Sequence, residues 1–316
     1  MAHNNVNSDL SLVPAGDQGH FVTGAWLWDW WQQARSQAIA HAVPVGELDW
    51  LLQQVAALER LDLRLGTLRS RPHIALTLPP EQLEHLWQQR LRDRVPVQYL
   101  VGRVTWRNLD LQVSPAVLIP RPETELMIDL AIAATAPPEH HALRQGHWVD
   151  LGTGSGAIAL GLAQAFPAAT IHAVDCSPEA LAIAQANAAT AQLSSQIHFT
   201  PGHWLEPLAQ LQGHISGLVS NPPYIPSAQI PGLQPEVTRH EPHLALDGGP
   251  DGLDCLRQLI ASGPVYLRSG GFWLVELMAG QAEAIAALLT AQGDYDQIQI
   301  HRDLAGIQRF VSAYRR

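Results

Sequence analysis

Apolar positions along this 316-residue chain follow two different periods. From Trp26 to about Arg94 they recur at three- and four-residue spacings, in WLWDWWQQARSQAIAHA, ELDWLLQQVAAL and EQLEHLWQQRLRDR, with Pro44 and Pro79-Pro80 as punctuation. That spacing lines one stripe of a helix, so 25–95 predicts a small all-helical domain, with Trp26, Trp28, Trp30 and Trp31 as core or contact residues. Residues 1–24 are polar and irregular and predict a flexible tail. After Val95 the texture changes. WRNLDLQV alternates and the turn-rich SPAVLIPRPETE follows it, so 96–122 predicts a linker with a β-hairpin. From 123 to 316 the strand-like runs HWVDL, TIHAVD, QIHFTPG, HISGLVSN and GGFWLVEL are interleaved with helical runs such as AIALGLAQAF and SPEALAIAQANAATA. YDQIQIHRD and IQRFVSAY predict a closing antiparallel hairpin. The predicted class is α/β, a doubly wound parallel sheet whose ligand sits at the carboxyl ends of the strands.

Composition narrows the class without changing it. A hydrophobic content of 47%, 15% charged residues and a mean hydropathy of -0.02 describe a folded chain with a buried core. No apolar run is long enough to predict a membrane span, and MAHNNVNSDL lacks the basic start and apolar stretch of a secretory signal. Cys176 and Cys255 lie far apart and match no metal-ligand spacing, which leads us to expect a reducing cytoplasm and no metal. All 19 basic residues are Arg; the absence of Lys removes Schiff-base chemistry and a phosphate-loop lysine. Residues 1–115 carry 10 Arg against 11 acidic residues, whereas 116–316 carry 9 against 18. An acidic second half repels phosphates and argues against a nucleic-acid partner.

Two motifs carry the candidate chemistry. Val149-Asp150-Leu151-Gly152-Thr153-Gly154-Ser155-Gly156 joins a predicted strand to its helix, with glycines where the backbone must turn tightly and approach a ligand. Asp175 ends the next strand, 23 residues after Gly152, placed to accept from ribose hydroxyls. Alone, this loop is compatible with S-adenosylmethionine (SAM) and, through Gly152-x-Gly154-x-x-Ala157, with a dinucleotide. The second motif is Asn221-Pro222-Pro223-Tyr224, predicted to leave the fourth strand beside that loop. An amide or exocyclic amine nitrogen shares its lone pair with a π system and is a poor nucleophile. Acceptors at Asn221 and at the Pro222 carbonyl can orient such a nitrogen and offset its growing positive charge, and Tyr224 can stack on the planar group. Together the motifs predict methyl transfer from SAM to a planar nitrogen, leaving S-adenosylhomocysteine.

With both motifs in place, the chain resembles the HemK/PrmC family, the N5-glutamine methyltransferases of peptide chain release factors. The resemblance spans roughly 85–316. It includes Pro96-Val97-Gln98-Tyr99-Leu100-Val101-Gly102, the signature Ile119-Pro120-Arg121-Pro122-Glu123-Thr124-Glu125, and Glu241-Pro242 followed by Ala245-Leu246-Asp247-Gly248-Gly249. It implies a Rossmann-like SAM-dependent methyltransferase fold of seven strands, preceded by a helical domain that contributes to release-factor recognition. It also implies that Gly152, Thr153, Gly154, Ser155 and Gly156 line the SAM site, that Asp175 binds the ribose, and that Trp204 flanks the adenine. Asn221 would contact both methionine and substrate amide, with Pro222, Pro223 and Tyr224 completing the glutamine site. The substrate implied is the glutamine of the Gly-Gly-Gln loop in class 1 release factors. One departure is His203, where the family often has an acidic residue able to accept from the adenine amino group. Arg90, Arg92 and Arg94 form a candidate partner patch.

Four alternatives compete. A ribosomal-protein glutamine methyltransferase shares the chemistry. An adenine-N6 methyltransferase shares the tetrapeptide but needs a basic groove. A SAM-binding module without catalysis leaves an intact Asn221 unexplained. A nicotinamide dehydrogenase leaves the whole tetrapeptide without purpose.

Overall fold

The computed structural model describes residues 19–56 and 58–316; the predicted tail, up to residue 18, lies outside them. The chain forms two compact units that divide between Val101 and Gly102.

The first unit contains β1 (His20–Val22), α1 (Gly24–Ala40), α2 (Val45–Val55), α3 (Arg60–Leu65), β2 (Ile74–Leu76), α4 (Pro80–Arg92) and α5 (Val97–Val101). Leu27, Leu48, Leu51, Leu52, Leu83 and Trp87, all fully buried, form its centre and account for the helical spacing of the sequence. Trp30 and Trp31 are buried too, and each satisfies its indole N–H by donating to a carboxylate, Glu84 at 2.7 Å and Asp49 at 2.8 Å. Trp28 is half-buried and Trp26 exposed.

Three expectations change here. The unit is not all-helical: β1 pairs antiparallel with β2, His20 opposite Leu76 and Val22 opposite Ile74. Three-residue strands are too short to show a period, and their partners lie some fifty residues apart. Residues 20–24, assigned to the tail, therefore belong to this ribbon and the start of α1. The candidate patch of Arg90, Arg92 and Arg94 also changes, since only Arg92 is exposed. Arg90 is 1% exposed and its guanidinium donates twice to Glu47, at 2.5 and 3.0 Å. Arg94 donates to the His41 carbonyl.

The second unit opens with the hairpin β3 (Arg103–Trp106) and β4 (Leu109–Gln112), so the unit boundary falls inside the predicted linker. After α6 (Leu126–Ala134) come β5 (His147–Leu151), α7 (Ala157–Ala165), β6 (Thr170–Asp175), α8 (Pro178–Thr190), β7 (Ile197–Pro201) and β8 (Ile215–Ser220). The chain continues with α9 (Pro235–His240), α10 (Asp254–Tyr266), β9 (Leu267–Glu276), α11 (Ala282–Gln292), β10 (Tyr295–Arg302) and β11 (Gln308–Arg315). Seven of these strands make one sheet, ordered β10-β11-β9-β8-β5-β6-β7. The central pairs are parallel, and β10 and β11 close the sheet antiparallel, as predicted.

Alternation within strands builds the two core layers. Trp148, Val219, Phe272 and Leu274 face one layer with residues of α6, α7 and α8, while Val149, Leu151, Leu218, Trp273 and Val275 face the other with α10 and α11. The order of strands reverses between β5 and β8, and this switch point opens a crevice at their carboxyl ends. Ser220 donates to the Leu151 carbonyl there at 2.7 Å, tying the two strand ends together.

A histidine cluster marks the β5–β6–β7 part of the sheet. His147 Nδ1 lies 3.1 Å from His172 Nε2, and His172 stacks on His198. Burial, with His147 and His198 nearby, pushes His172 down from 6.5 to about 4. In the unfolded chain it takes a proton near its ordinary value, and in the folded chain only well below it. Stability is therefore full above 6.5 and falls as pH drops from there towards 4. His172→Phe should flatten that acid limb in thermal melts across this range.

Candidate active site

The glycine loop between β5 and α7 is held from three directions. Asp150, fully buried at the end of β5, accepts from Thr153 Oγ1 at 2.6 Å and from the Ala159 N–H at 2.9 Å. Burial pushes its carboxyl up to about 7, against the pull of those two bonds. Asn187, on α8 and 1% exposed, donates to the Ser155 carbonyl at 2.8 Å and exchanges bonds with the backbone of Gln112 in β4. Asp175 ends β6 and accepts from the Gly154 N–H at 2.8 Å and the Ser177 N–H at 2.9 Å. Each of its oxygens keeps a further lone pair. Gly152 and Gly154 adopt φ of +72° and +54°, and a Cβ on Gly154 would meet no atom within 4 Å. The glycine is there for the backbone conformation and leaves that space open.

Next to this loop lies a cavity of about 470 Å³. Gly152, Thr153, Gly154, Ser155, Asp175, His203, Trp204, Asn221 and Pro223 line it, with Cys176 and Cys255. Ala116, Val117, Leu118 and Pro120 contribute one apolar wall, and Pro242, Leu244 and Ala245 another. Gly156, Pro222 and Tyr224 do not line it. Gly156 turns the chain into α7 at φ +83°, with Ala184 close to its Cα. Pro222 is buried.

The tetrapeptide leaves β8 and is fixed from behind. Gln281 donates to the Tyr224 carbonyl at 2.9 Å, and Ile225 bridges to Asp247. Gly248 sits so near that a Cβ would lie 2.8 Å from the Pro223 carbonyl oxygen and from Tyr224 Cα. The Asp247-Gly248-Gly249 segment thus needs its first glycine for space.

The signature Ile119–Glu125 docks against the same loop. Trp106 Nε1 donates to the Arg121 carbonyl at 3.0 Å, and the Arg121 guanidinium donates to both oxygens of buried Glu241, at 2.8 and 2.6 Å. Three residues on, Thr124 Oγ1 donates to Glu276 Oε2 at 2.6 Å and accepts from Asn221 Nδ2 at 3.3 Å. Tyr224 donates to Glu276 Oε1 at 3.2 Å. Burial and the adjacent carboxylate hold the Tyr224 phenol well above its ordinary range. The motif predicts a stacking role for Tyr224, whose hydroxyl is turned to Glu276. The roles of Thr124, Glu276, Asn187 and the Arg121–Glu241 pair are not readable from spacing. Only Glu276 leaves a signal, as a lone charge ending the apolar strand GGFWLVEL.

The residues present fit SAM. An open glycine cradle, a carboxylate with spare lone pairs and an indole edge meet in one cavity, which the Asn221 amide also lines. Among the described residues no group of three or more His, Cys, Asp or Glu is arranged to hold a metal, and no helix is long and apolar enough to cross a membrane.

Comparisons with known proteins show the family. Residues 132–233 match the methyltransferase small domain family model. A release factor glutamine methyltransferase of Synechocystis sp. is 54% identical over 93% of this chain and 97% of its own length. One from Thermosynechococcus vestitus is 48% identical over 92% and 99%. Among solved structures, the hMettl16 catalytic domain in complex with the MAT2A 3'UTR hairpin 6 superposes with a TM-score of 0.54 over 83% of this chain and 88% of that one, at 14% identity, a likeness of fold alone. A methyltransferase sheet with an amide-bearing tetrapeptide at its switch point, and near-full-length relatives of one kind, place this chain in the release factor glutamine methyltransferase family.

Proposed function

We propose that this enzyme methylates the side-chain amide nitrogen, N5, of the Gly-Gly-Gln glutamine in class 1 peptide chain release factors, using SAM. The observation that carries the reading is that the Asn221 amide lines the same cavity as the glycine loop and Asp175. The names of the full-length relatives support the substrate. Gly152 to Ser155, Asp175 and Trp204 would hold SAM, and when bound it supplies an electrophilic methyl group on a sulfonium. Asn221 Oδ1 accepts from an N–H group of the target amide. It holds that nitrogen in one orientation and offsets the positive charge that grows on it. As the nitrogen–methyl bond forms and the sulfur–methyl bond breaks, S-adenosylhomocysteine is left and the surplus N–H proton passes to solvent. Two free thiols in the cavity wall suit a reducing cytoplasm.

Mass spectrometry of a purified release factor after incubation with enzyme and SAM tests the reading. One added methyl on the Gly-Gly-Gln glutamine is expected. Methyl on a ribosomal protein or on DNA, with none on the release factor, overturns it. Asp175→Ala should raise the SAM dissociation constant about 10- to 100-fold, the value of lost bonds to a charged acceptor. Calorimetric titration measures this directly.

A further inference from the structure

The hydroxyl of Thr124 has a single proton, and its Oγ1 lies 2.6 Å from Glu276 Oε2. Both residues are buried, Thr124 at 3% and Glu276 at 2% exposure. A carboxylate has no proton to give, so this contact commits the Thr124 proton to Glu276. Towards Asn221 the hydroxyl then offers only a lone pair, and Asn221 must answer with Nδ2–H, 3.3 Å away. The reverse orientation would set Asn221 Oδ1 against Thr124 Oγ1 with no proton between them. Because the amide is planar, fixing Nδ2 also fixes Oδ1. Among the described residues none donates to Oδ1, and Asn221 lines the cavity. Tyr224 donates to the other oxygen of Glu276 and holds that carboxylate in place.

We propose that Thr124 and Glu276 are positioning residues that decide which end of the Asn221 amide faces the substrate. An acceptor is presented to the cavity, and the site thereby selects a side-chain amide, which can donate, over a carboxylate, which cannot. The inference rests on the reading that Asn221 accepts from the target nitrogen. It also needs Glu276 ionised. Burial, with Glu123, raises that carboxyl on balance, against the downward pull of the bonds from Thr124 and Tyr224 and of the Arg309 guanidinium of β11, so the orientation holds on the alkaline side of its titration. A neutral carboxyl could pass its own proton to Thr124 and reverse the chain of donors.

The test is equilibrium binding of a whole release factor to enzyme loaded with S-adenosylhomocysteine. Two forms of the release factor are compared, one with its target glutamine and one with glutamate in that place. Wild-type enzyme should favour the glutamine form by about tenfold or more, the value of one well-placed hydrogen bond. Thr124→Val, which keeps the shape and removes both bonds, should lower that ratio about tenfold, and Thr124→Ser should restore it. Affinity for S-adenosylhomocysteine should stay at wild type in all of them. If valine disturbs folding, seen as lost S-adenosylhomocysteine binding, Thr124→Ala serves in its place. A variant that binds S-adenosylhomocysteine normally yet keeps the full glutamine preference overturns the proposal. Asn221→Ala separates the two readings. If it loses methyl transfer while Thr124→Val keeps the wild-type preference, only the positioning role fails; if it keeps transfer, the role of Asn221 fails first.

Discussion

Asn221→Ala should lower kcat for methyl transfer about 10²- to 10³-fold, the usual cost of removing one preorganised group from a site of developing charge. SAM affinity should stay within a few-fold, because Asn221 is expected to touch only the methionine end, and the glycine loop, Asp175 and Trp204 carry the other contacts. The loss should fall on kcat more than on KM. An acceptor that meets a growing positive charge binds the transition state better than the ground state. Single-turnover transfer of labelled methyl to a release factor, set beside a calorimetric SAM titration, separates these effects. Full activity would remove Asn221 from the mechanism. A parallel loss of SAM affinity would instead make it part of the cofactor site.

The second large effect concerns stability. Gly217, in the central strand β8, pairs with Trp148 of β5. A Cβ at Gly217 would lie 2.3 to 2.6 Å from three atoms of the Trp148 ring. That indole cannot move aside: it is fully buried, stacks on Phe166 with centroids 4.6 Å apart, and donates to the Leu143 carbonyl at 2.8 Å. Gly217→Ala should therefore destabilise the fold by about 3 kcal/mol, the upper range for overpacking a core. For a domain of this size that is a fall of roughly 6–12 °C in Tm. An unchanged melting temperature would show that β5 and β8 can part without penalty. The same pair carries the carboxyl-end crevice, so any measured loss should also weaken SAM binding.

Much of the second unit was legible because its strands are short apolar runs bounded by turns, and its two motifs sit where strand ends must be. The first unit was less so. Its helices follow from their three- and four-residue spacing, but the β1–β2 ribbon is built from two tripeptides that carry no period. Arg90 resembled its neighbours Arg92 and Arg94 in sequence, and only the packing of α4 against Glu47 of α2 shows that it is buried and paired. Likewise Thr124 stood in a quoted signature without a role, since its partner Glu276 is 152 residues away.

The tetrapeptide and the glycine loop were determined by the sequence alone, as were their residue types and the chemistry those types permit, because both are contiguous and their constraints are local. Their meeting in one cavity followed from strand order, which a parallel sheet with a switch point already limits. The tertiary structure alone decided which end of the Asn221 amide looks outward. That choice depends on a single hydroxyl proton, which Thr124 gives to Glu276 and so cannot give to Asn221, and hydrogen-bond direction between distant segments leaves no periodic trace in a sequence.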